Sequence, residues 1–309
     1  MLASIFRAFF LWLSNRRWVA SVALHTPLIR RMPLRFVAGT TLDRAVSAVR
    51  ALNQSGAMAT LDVLGESVED RAAADRAAQS YVTTIERIAA EGLDANVSVK
   101  LTQMGLDLGM ETCVDVMRPL VEAGKRHDVF VRIDMESSAY TDRTLDVARR
   151  LHAEGCDVGV VLQAYLHRST ADAQALAADR IRVRVCKGAY AEPVEIAWHD
   201  RARIGQSFLD MTKLLLEADA YPAVATHDPE MIDAVRAFVA ERGIPSDGFE
   251  FQMLYGIRRD LQRQLLEQGY RLRIYVPYGT EWFPYFMRRL AERPANVFFV
   301  LRSLFGERG

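Results

Sequence analysis

The sequence has few cysteines, and they form no recognisable framework. Cys113, Cys156 and Cys186 are odd in number, lie far apart and include no CxxC pair. A disulfide-stabilised secreted domain needs an even set of cysteines, and a structural zinc site needs Cys or His ligands at short spacing. We therefore expect reduced thiols in a cytoplasmic protein.

Several motifs of nucleotide and hydrolytic chemistry are also missing. The sequence has no GxGxxG turn, no GxxxxGK[ST] loop and no GxSxG elbow, which disfavours a Rossmann site, a P-loop and a serine hydrolase. Neither HxH nor HExxH occurs, and the six histidines are scattered. Because catalytic metals need clustered ligands, we predict that the protein has no metal site.

The chain has no excess charge of either sign. Its 309 residues include 39 Lys+Arg and 39 Asp+Glu, and 50% of the residues are hydrophobic. This balance excludes a protein that binds nucleic acid through bulk positive charge, and it excludes a disordered chain. We expect a globular protein without a nucleic-acid partner.

The apolar run near the N-terminus is too short to span a bilayer. Residues 2–13 read LASIFRAFFLWL, with Arg7 inside the run and Arg16 and Arg17 after it. A spanning helix needs about 20 apolar residues, and the flanks of a signal peptide are not evident. Two interpretations stay open: a helix that lies on the inner face of the cell membrane, and a helix packed on the protein body.

From about residue 56, short β-rich runs recur along the chain. They are AMATLDVLG (57–65), NVSVKLT (96–102), VFVRIDME (129–136), VGVVLQAY (158–165), IRVRVCKG (181–188), PAVATHD (222–228), FEFQMLYG (249–256) and RLRIYVPYG (271–279). Strands that alternate with helices are typical of parallel βαβ units. Eight of them favour a closed (β/α)8 barrel over an open sheet.

Helical periodicity fills several of the intervals between these runs. It covers 69–92, 141–155, 196–220, 229–243 and 258–269, and helix-stop glycines stand at Gly92, Gly155, Gly243 and Gly269. The first 55 residues are also helical in pattern, notably 41–52. We therefore predict a helical arm over residues 1–55 and a barrel over residues 56–309.

Polar side chains end seven of the eight runs, where a (β/α)8 barrel builds its active site. They are Lys100; Asp134 and Glu136; Gln163 and Tyr165; Arg184 and Lys187; Thr226, His227 and Asp228; Gln252 and Tyr255; and Tyr275 and Tyr278. Lys100, Asp134 and Arg184 are charged at the ends of buried strands, where an unpaired charge is costly. They form either a structural ion-pair network or a pocket for a small carboxylate or an anionic cofactor.

A pair of arginines lies in the last predicted helix, TEWFPYFMRRLAERPAN (280–296). Arginine binds carboxylates with two parallel hydrogen bonds, so Arg288 and Arg289 are candidates to bind an acid. Glu292 is four residues beyond Arg288, where it can hold that side chain in place. The alternative is a solvated, charged helix face.

Eight segments of the chain together resemble one enzyme family. They are VSVKL (97–101), RIDME (132–136), VLQAYL (161–166), KGAY (187–190), ATHD (225–228), FQMLYG (251–256), YVPYG (275–279) and WFPYFMRRLAERPAN (282–296). In this order they are similar to the small monofunctional bacterial proline dehydrogenases. One departure is Cys186, where the family pattern has an aliphatic residue.

The resemblance implies a distorted (β/α)8 TIM-type barrel that holds FAD without a covalent bond. It implies oxidation of L-proline to Δ1-pyrroline-5-carboxylate, the first step of proline degradation to glutamate. The electrons would pass to a membrane quinone, which suits an enzyme peripheral to the membrane. Whether a pyrroline-5-carboxylate dehydrogenase takes the product directly is left open.

The resemblance also assigns roles to individual residues. The expected catalytic residues are Asp134 and Arg184. The expected proline-binding residues are Lys100, Arg288 and Arg289 for the carboxylate, and Tyr275, Tyr190 and Leu254 for the ring. The expected FAD contacts are Met135, Gln163, Arg184, Lys187, Gly188, Ala189, Thr226 and His227.

Three other functions remain as alternatives. A Schiff-base aldolase could use Lys100 or Lys187 at a strand end, because a desolvated lysine forms imines with carbonyl substrates. A second flavoprotein barrel, such as a methylenetetrahydrofolate reductase, would take electrons from NADH instead of proline. A membrane-recruited binding module would depend on the N-terminal run alone.

Overall fold

The computed structural model describes residues 36–65, 67–283, 285 and 287. Within this part of the chain, parallel strands close a barrel in sequence order, which confirms the predicted (β/α)8 architecture. The strands are Met58–Val63 (β1), Ala95–Val99 (β2), Val131–Ile133 (β3), Val158–Gln163 (β4), Arg182–Cys186 (β5), Ala223–Ala225 (β6), Glu250–Leu254 (β7) and Leu272–Tyr278 (β8). Pairing between β1 and β8 closes the barrel, from Met58 opposite Arg273 to Val63 opposite Tyr278.

Helices surround these strands. In the described residues they are Leu42–Gln54 (α1), Arg71–Ala90 (α2), Met110–His127 (α3), Thr141–Ala153 (α4), Ser169–Ala178 (α5), Arg201–Glu217 (α6), Pro229–Arg242 (α7) and Arg259–Glu267 (α8). Two 3-10 turns, Leu106–Leu108 and Ser138–Tyr140, precede α3 and α4. Helices α3 and α5 have no counterpart among the predicted helices: Pro119 lies inside α3 without ending it, and α5 is a short, alanine-rich segment.

The helix ends follow local chemistry. Gly243 caps α7 with φ 63°, a left-handed conformation that suits glycine, and the other predicted stop glycines also follow their helices. Helix α6 begins at Arg201 and not at residue 196 as predicted. Asp200 sets this start, because its carboxylate accepts a hydrogen bond from the Arg203 backbone N–H.

Helix α1 is the part of the predicted N-terminal arm that the structure describes. It packs against β1 and β8 and buries Ala45, Val46 and Val49. It therefore covers the outer face of these strands as the other helices cover theirs. The boundary at residue 55 stays a prediction. The apolar run 2–13 lies outside the described residues, and no helix among those described is long and apolar enough to cross a membrane.

The two faces of the strands differ in polarity. Outward-facing side chains such as Leu61, Val97, Val160 and Phe251 form the hydrophobic core against the helices. Inward-facing positions carry polar groups: Asp62, Ser98, Arg132, Gln163, Arg184, Glu250, Gln252 and Arg273 are all buried. Most (β/α)8 barrels fill the interior with branched apolar residues. Here the interior supplies charged groups to the site at the C-terminal ends of the strands.

Candidate active site

Asp134 is the centre of a polar cluster at the mouth of the barrel. It follows β3, and its Oδ1 accepts hydrogen bonds from Arg184 Nη1 at 2.7 Å and from Ser98 Oγ at 2.5 Å. Its Oδ2 accepts a hydrogen bond from the Tyr275 hydroxyl at 2.8 Å. These partners stand on β5, β2 and β8, so one carboxylate joins side chains from across the barrel.

Lys100 extends this cluster toward β1. Its Nζ lies 3.1 and 3.3 Å from the two carboxylate oxygens of Asp62, and 3.7 Å from Asp134 Oδ2. Burial lowers the pKa of Lys100, but the Asp62 and Asp134 carboxylates outweigh burial and raise it above its usual value. The ammonium group therefore stays charged at neutral pH. This disfavours Lys100 as the imine-forming lysine of an aldolase, which must be neutral to attack a carbonyl.

The electrostatics of the cluster keep its acid charged and its phenol neutral. Burial alone would raise the pKa of Asp134, but the positive charges of Arg184 and Lys100 lower it below its usual value. Burial and the Asp134 charge raise the pKa of Tyr275. Asp134 is thus a carboxylate and Tyr275 a hydrogen-bond donor at neutral pH.

Arg184 is supported from deeper in the barrel. Its Nε donates to Gln252 Oε1 at 2.5 Å, and Gln252 Nε2 donates to Glu250 Oε1 at 2.5 Å. Glu250 in turn accepts from Arg273 Nε at 2.9 and 3.1 Å. The guanidinium carbon of Arg184 also lies 5.3 Å from the centre of the Tyr275 ring. This series of contacts fixes the plane of the Arg184 guanidinium group.

Two of the residues expected to contact FAD present unsatisfied buried atoms. Gln163 Oε1 and Arg184 Nη2 are buried, and neither has a hydrogen-bond partner among the residues that the structure describes. Gly188 follows β5 with φ 107°, and a Cβ atom there would lie 2.4 Å from Tyr165 Cδ1. Only glycine therefore lets the backbone after β5 pass this close to the Tyr165 ring.

A second group of expected FAD contacts lies at the ends of β5 and β6, next to Leu254 of the expected proline site. The backbone N–H of Leu254 donates to His227 Nε2 at 2.9 Å, which leaves the proton of a neutral ring on Nδ1. Thr226 Oγ1 accepts from the Asp228 backbone N–H, and Lys187 Nζ lies 2.6 Å from Asp228 Oδ2. These contacts bring Lys187, Thr226, His227 and Leu254 to one side of the mouth.

Other predicted site residues lie in the hydrophobic core, on an exposed loop or outside the described residues. Met135 is 6% exposed and belongs to the hydrophobic core, whereas Tyr190 is 43% exposed on the loop after β5. Ala189 is exposed on the same loop. Arg288 and Arg289 lie outside the described residues, as does Glu292. The roles of all these residues stay predictions.

Two of the polar residues at the strand ends point away from the cluster. Glu136 accepts hydrogen bonds from the backbone N–H and the hydroxyl of Thr102, and burial raises its pKa. The Tyr278 hydroxyl lies 2.6 Å from Thr84 Oγ1 on α2, outside the barrel. Neither side chain joins the cluster around Asp134.

The structure also adds residues that are not among the predicted site residues. Asp62, Glu250 and Arg273 are buried ionic groups of the barrel interior. Asp62 stands inside the apolar run AMATLDVLG, so the criterion of a charge within a buried strand could have found it. The same criterion applies to Glu250 and Arg273, but they lie near the starts of their runs, below the strand ends where a barrel builds its site.

Comparisons with known proteins place this chain in a family. The sequence model described as proline dehydrogenase matches residues 45–302. The chain belongs to the proline dehydrogenase family. It is 44% identical over 270 residues to proline dehydrogenase 1 of Bacillus subtilis subsp. natto, covering 87% of this chain and 89% of that protein. It is 42% identical over 279 residues to the proline dehydrogenase of Deinococcus radiodurans, with the same shares covered.

A solved structure has the same fold. Proline utilization A (PutA) from Bdellovibrio bacteriovorus, inactivated by N-propargylglycine, matches with a TM-score of 0.84 at 24% identity. The match covers 99% of this chain and 38% of that chain. Family membership confirms the predicted resemblance and makes the chain an oxidoreductase of proline catabolism. It disfavours the aldolase, the folate reductase and the binding module.

Proposed function

We propose that this chain oxidises L-proline to Δ1-pyrroline-5-carboxylate, with FAD as its cofactor and a quinone as its electron acceptor. The observation that carries the proposal is the cluster at the barrel mouth of a proline dehydrogenase family member. Lys100, Asp134, Arg184 and Tyr275 meet there through direct contacts. They provide two cations, one of them partly exposed, beside an aromatic ring.

The cluster offers separate contacts for the carboxylate and for the ring of a proline molecule. Lys100 has an exposed fraction of 18% and can bind the substrate carboxylate from the rim. Leu254 pairs with Tyr275 across β7 and β8, so an apolar and an aromatic side chain stand side by side for the ring. We propose that Arg288 and Arg289 complete the carboxylate site, a role supported by the sequence motif alone.

The residues at the barrel mouth fit FAD. Gln163 Oε1 and Arg184 Nη2 offer a buried acceptor and a buried donor, and Gly188 lets the backbone approach closely. Bound FAD would supply the site's capacity to accept a hydride from the ring carbon beside the proline nitrogen. Arg184 would place positive charge next to the flavin, held in position by Gln252 and Asp134.

The proline nitrogen must lose a proton before the hydride can leave. Positive charge nearby lowers the pKa of an ammonium group. Within the described residues Asp62 and Asp134 balance the charges of Lys100 and Arg184. The excess positive charge would therefore come from Arg288 and Arg289. We assign no general base, and we expect deprotonation to be favoured by the cations of the site.

The sequence supports two further parts of the proposal: a quinone as the electron acceptor, and association of the protein with a membrane. The quinone follows from the resemblance to the bacterial enzymes, and the run 2–13 would place the protein beside a membrane. Deleting residues 1–14 should release the protein from vesicles but preserve its activity with a soluble quinone. Unchanged vesicle binding would contradict the role of this run.

Trapping the product tests the proposed reaction. The FAD-loaded chain is incubated with L-proline and a soluble quinone, and o-aminobenzaldehyde is added to capture a cyclic imine. We expect the adduct and the reduced quinone in equimolar amounts. Quinone reduction without the adduct, or no reaction, would contradict the proposal. Borohydride should leave every lysine unmodified, whereas an aldolase would be labelled when its ketone substrate is present.

A further inference from the structure

Asp62 is a fully enclosed acid directly beside the predicted substrate-binding lysine. It stands on β1 with 0% of its surface exposed, and both carboxylate oxygens lie within 3.3 Å of Lys100 Nζ. The Tyr81 hydroxyl, on α2, lies 3.3 Å from Asp62 Oδ1 and 2.9 Å from the Ser98 carbonyl oxygen. Asp62 therefore lies between the Tyr81 hydroxyl and the Lys100 ammonium group.

A lysine ammonium group needs such an anchor to bind a ligand at a defined place. Its four-carbon stem is flexible, and its three N–H donors rotate freely unless they are held. Asp62 holds the buried side of the Lys100 ammonium group, and the partly exposed side remains at the rim. A substrate carboxylate can then bind without a further loss of side-chain freedom.

We propose that Asp62 is a positioning residue that holds the Lys100 ammonium group where it binds the carboxylate of the substrate. The inference rests on the proposed function, because it assigns a partner to a residue of that same site. Asp62 acts through Lys100 and does not itself touch the substrate.

Because of the charges around Lys100, this role predicts that substrate binding by an Asp62 variant depends on pH. Burial lowers the pKa of Lys100, and Asp62, Asp134 and Glu136 raise it, in that order of strength. Arg184 and Tyr275 contact Asp134 from the far side. Replacing Asp62 by Asn keeps the burial but removes the strongest opposing charge, so the pKa of Lys100 should fall. As the pH rises, Lys100 would then lose its charge and bind the substrate carboxylate more weakly.

The test compares Asp62→Asn with the control Thr60→Val. Thr60 lies two residues earlier on the same strand, is equally buried and donates one hydrogen bond to Asn96. We expect Asp62→Asn to raise the KM for proline about tenfold at neutral pH, with kcat nearly unchanged. The KM should rise further between about pH 7 and pH 10, where the unmodified protein shows a smaller change. Thr60→Val should leave both values unchanged.

A binding measurement separates this role from turnover. Cyclopentanecarboxylate has the ring and the acid of proline but no nitrogen to oxidise. Its Kd for the FAD-loaded protein, measured by calorimetry, should rise by the same factor in Asp62→Asn. An unchanged KM and Kd in a folded Asp62→Asn variant would overturn the proposal. A wild-type chain that does not oxidise proline would instead contradict the proposed function, and binding of this acid would still test Asp62.

A double variant keeps the test decisive if Asp62→Asn does not fold. Asp62→Asn with Lys100→Met removes both charges of the pair, so neither is left buried alone. If Asp62 acts through Lys100, this double variant should bind the acid as weakly as Lys100→Met does. Binding at least fivefold weaker than that of Lys100→Met would show an independent effect and overturn the proposal.

Discussion

Two ionic groups lie at different depths of the same barrel. The mouth cluster comprises Asp62, Lys100, Asp134, Arg184 and Tyr275. The inner pair, Glu250 and Arg273, lies below it, with side chains only 3% and 10% exposed.

The two groups differ in how their donors are used. In the inner pair, Arg273 Nε contacts both oxygens of Glu250, and Arg273 Nη1 donates to the Ala59 carbonyl. In the mouth cluster, Lys100 is partly exposed, and Arg184 Nη2 has no hydrogen-bond partner in the described part of the chain. Each guanidinium nitrogen of Arg273 thus has a partner, the third being Met58 Sδ, and the inner pair stabilises the fold. The mouth cluster keeps a donor that can bind a ligand.

Breaking the inner pair should have the largest effect on stability. Glu250→Gln leaves the Arg273 charge buried without its carboxylate, which should lower the free energy of unfolding by about 3–5 kcal/mol. Urea unfolding followed by circular dichroism measures this change. A loss below about 1 kcal/mol would contradict the structural role of the pair.

Removing Arg184 should affect the reaction more than substrate binding. Arg184→Met deletes the charge proposed to lie beside the flavin, so the rate constant of flavin reduction by proline should fall about 100-fold. The Kd for proline should change less than about threefold. Anaerobic stopped-flow absorbance measures both quantities. Reduction at the wild-type rate would show that Arg184 has no such role.

The mouth cluster should also make stability depend on pH. The folded-state pKa of Asp134 is below its usual value, so Asp134 stabilises the fold above its unfolded-state pKa. This stabilisation is lost as the pH falls through the folded-state pKa. The free energy of unfolding of wild type should therefore decrease more steeply below about pH 4 than that of Asp134→Asn. Parallel curves from urea titrations would contradict this assignment.

An exposed ion pair gives the smallest expected effect and serves as a reference. Arg149 and Asp179 lie 3.0 Å apart, but their side chains are 39% and 44% exposed. Asp179→Asn should change the free energy of unfolding by less than about 0.5 kcal/mol and leave proline oxidation unchanged. A larger loss of stability would contradict the expected difference between buried and exposed ion pairs.

The barrel could be predicted from the sequence because the patterns that mark its strands and helix ends are local. Each strand coincides with an apolar run, and glycines such as Gly243 mark helix ends through their own backbone conformation. Helix α6 begins later than predicted, because the preceding residues continue its periodicity up to the Asp200 cap. Periodicity alone does not show where a side chain interrupts the helix.

The site was predictable only in part because it depends on which way each side chain faces. Asp134 and Glu136 would share a face if β3 continued, but the strand ends at Ile133 and Glu136 turns to Thr102. Tyr275 and Tyr278 are three residues apart on one strand, so they face opposite sides. The pairing of Lys100 with Asp62 joins separate strands, and no local pattern specifies it.

The visible absorbance spectrum of the purified protein tests the central claim most directly. The FAD-loaded protein is titrated with L-proline in the absence of oxygen and of any quinone. We predict a yellow protein whose flavin absorbance bleaches on addition of L-proline and returns when a quinone is added. A protein that binds no FAD, or whose flavin spectrum stays unchanged with proline, would contradict the account.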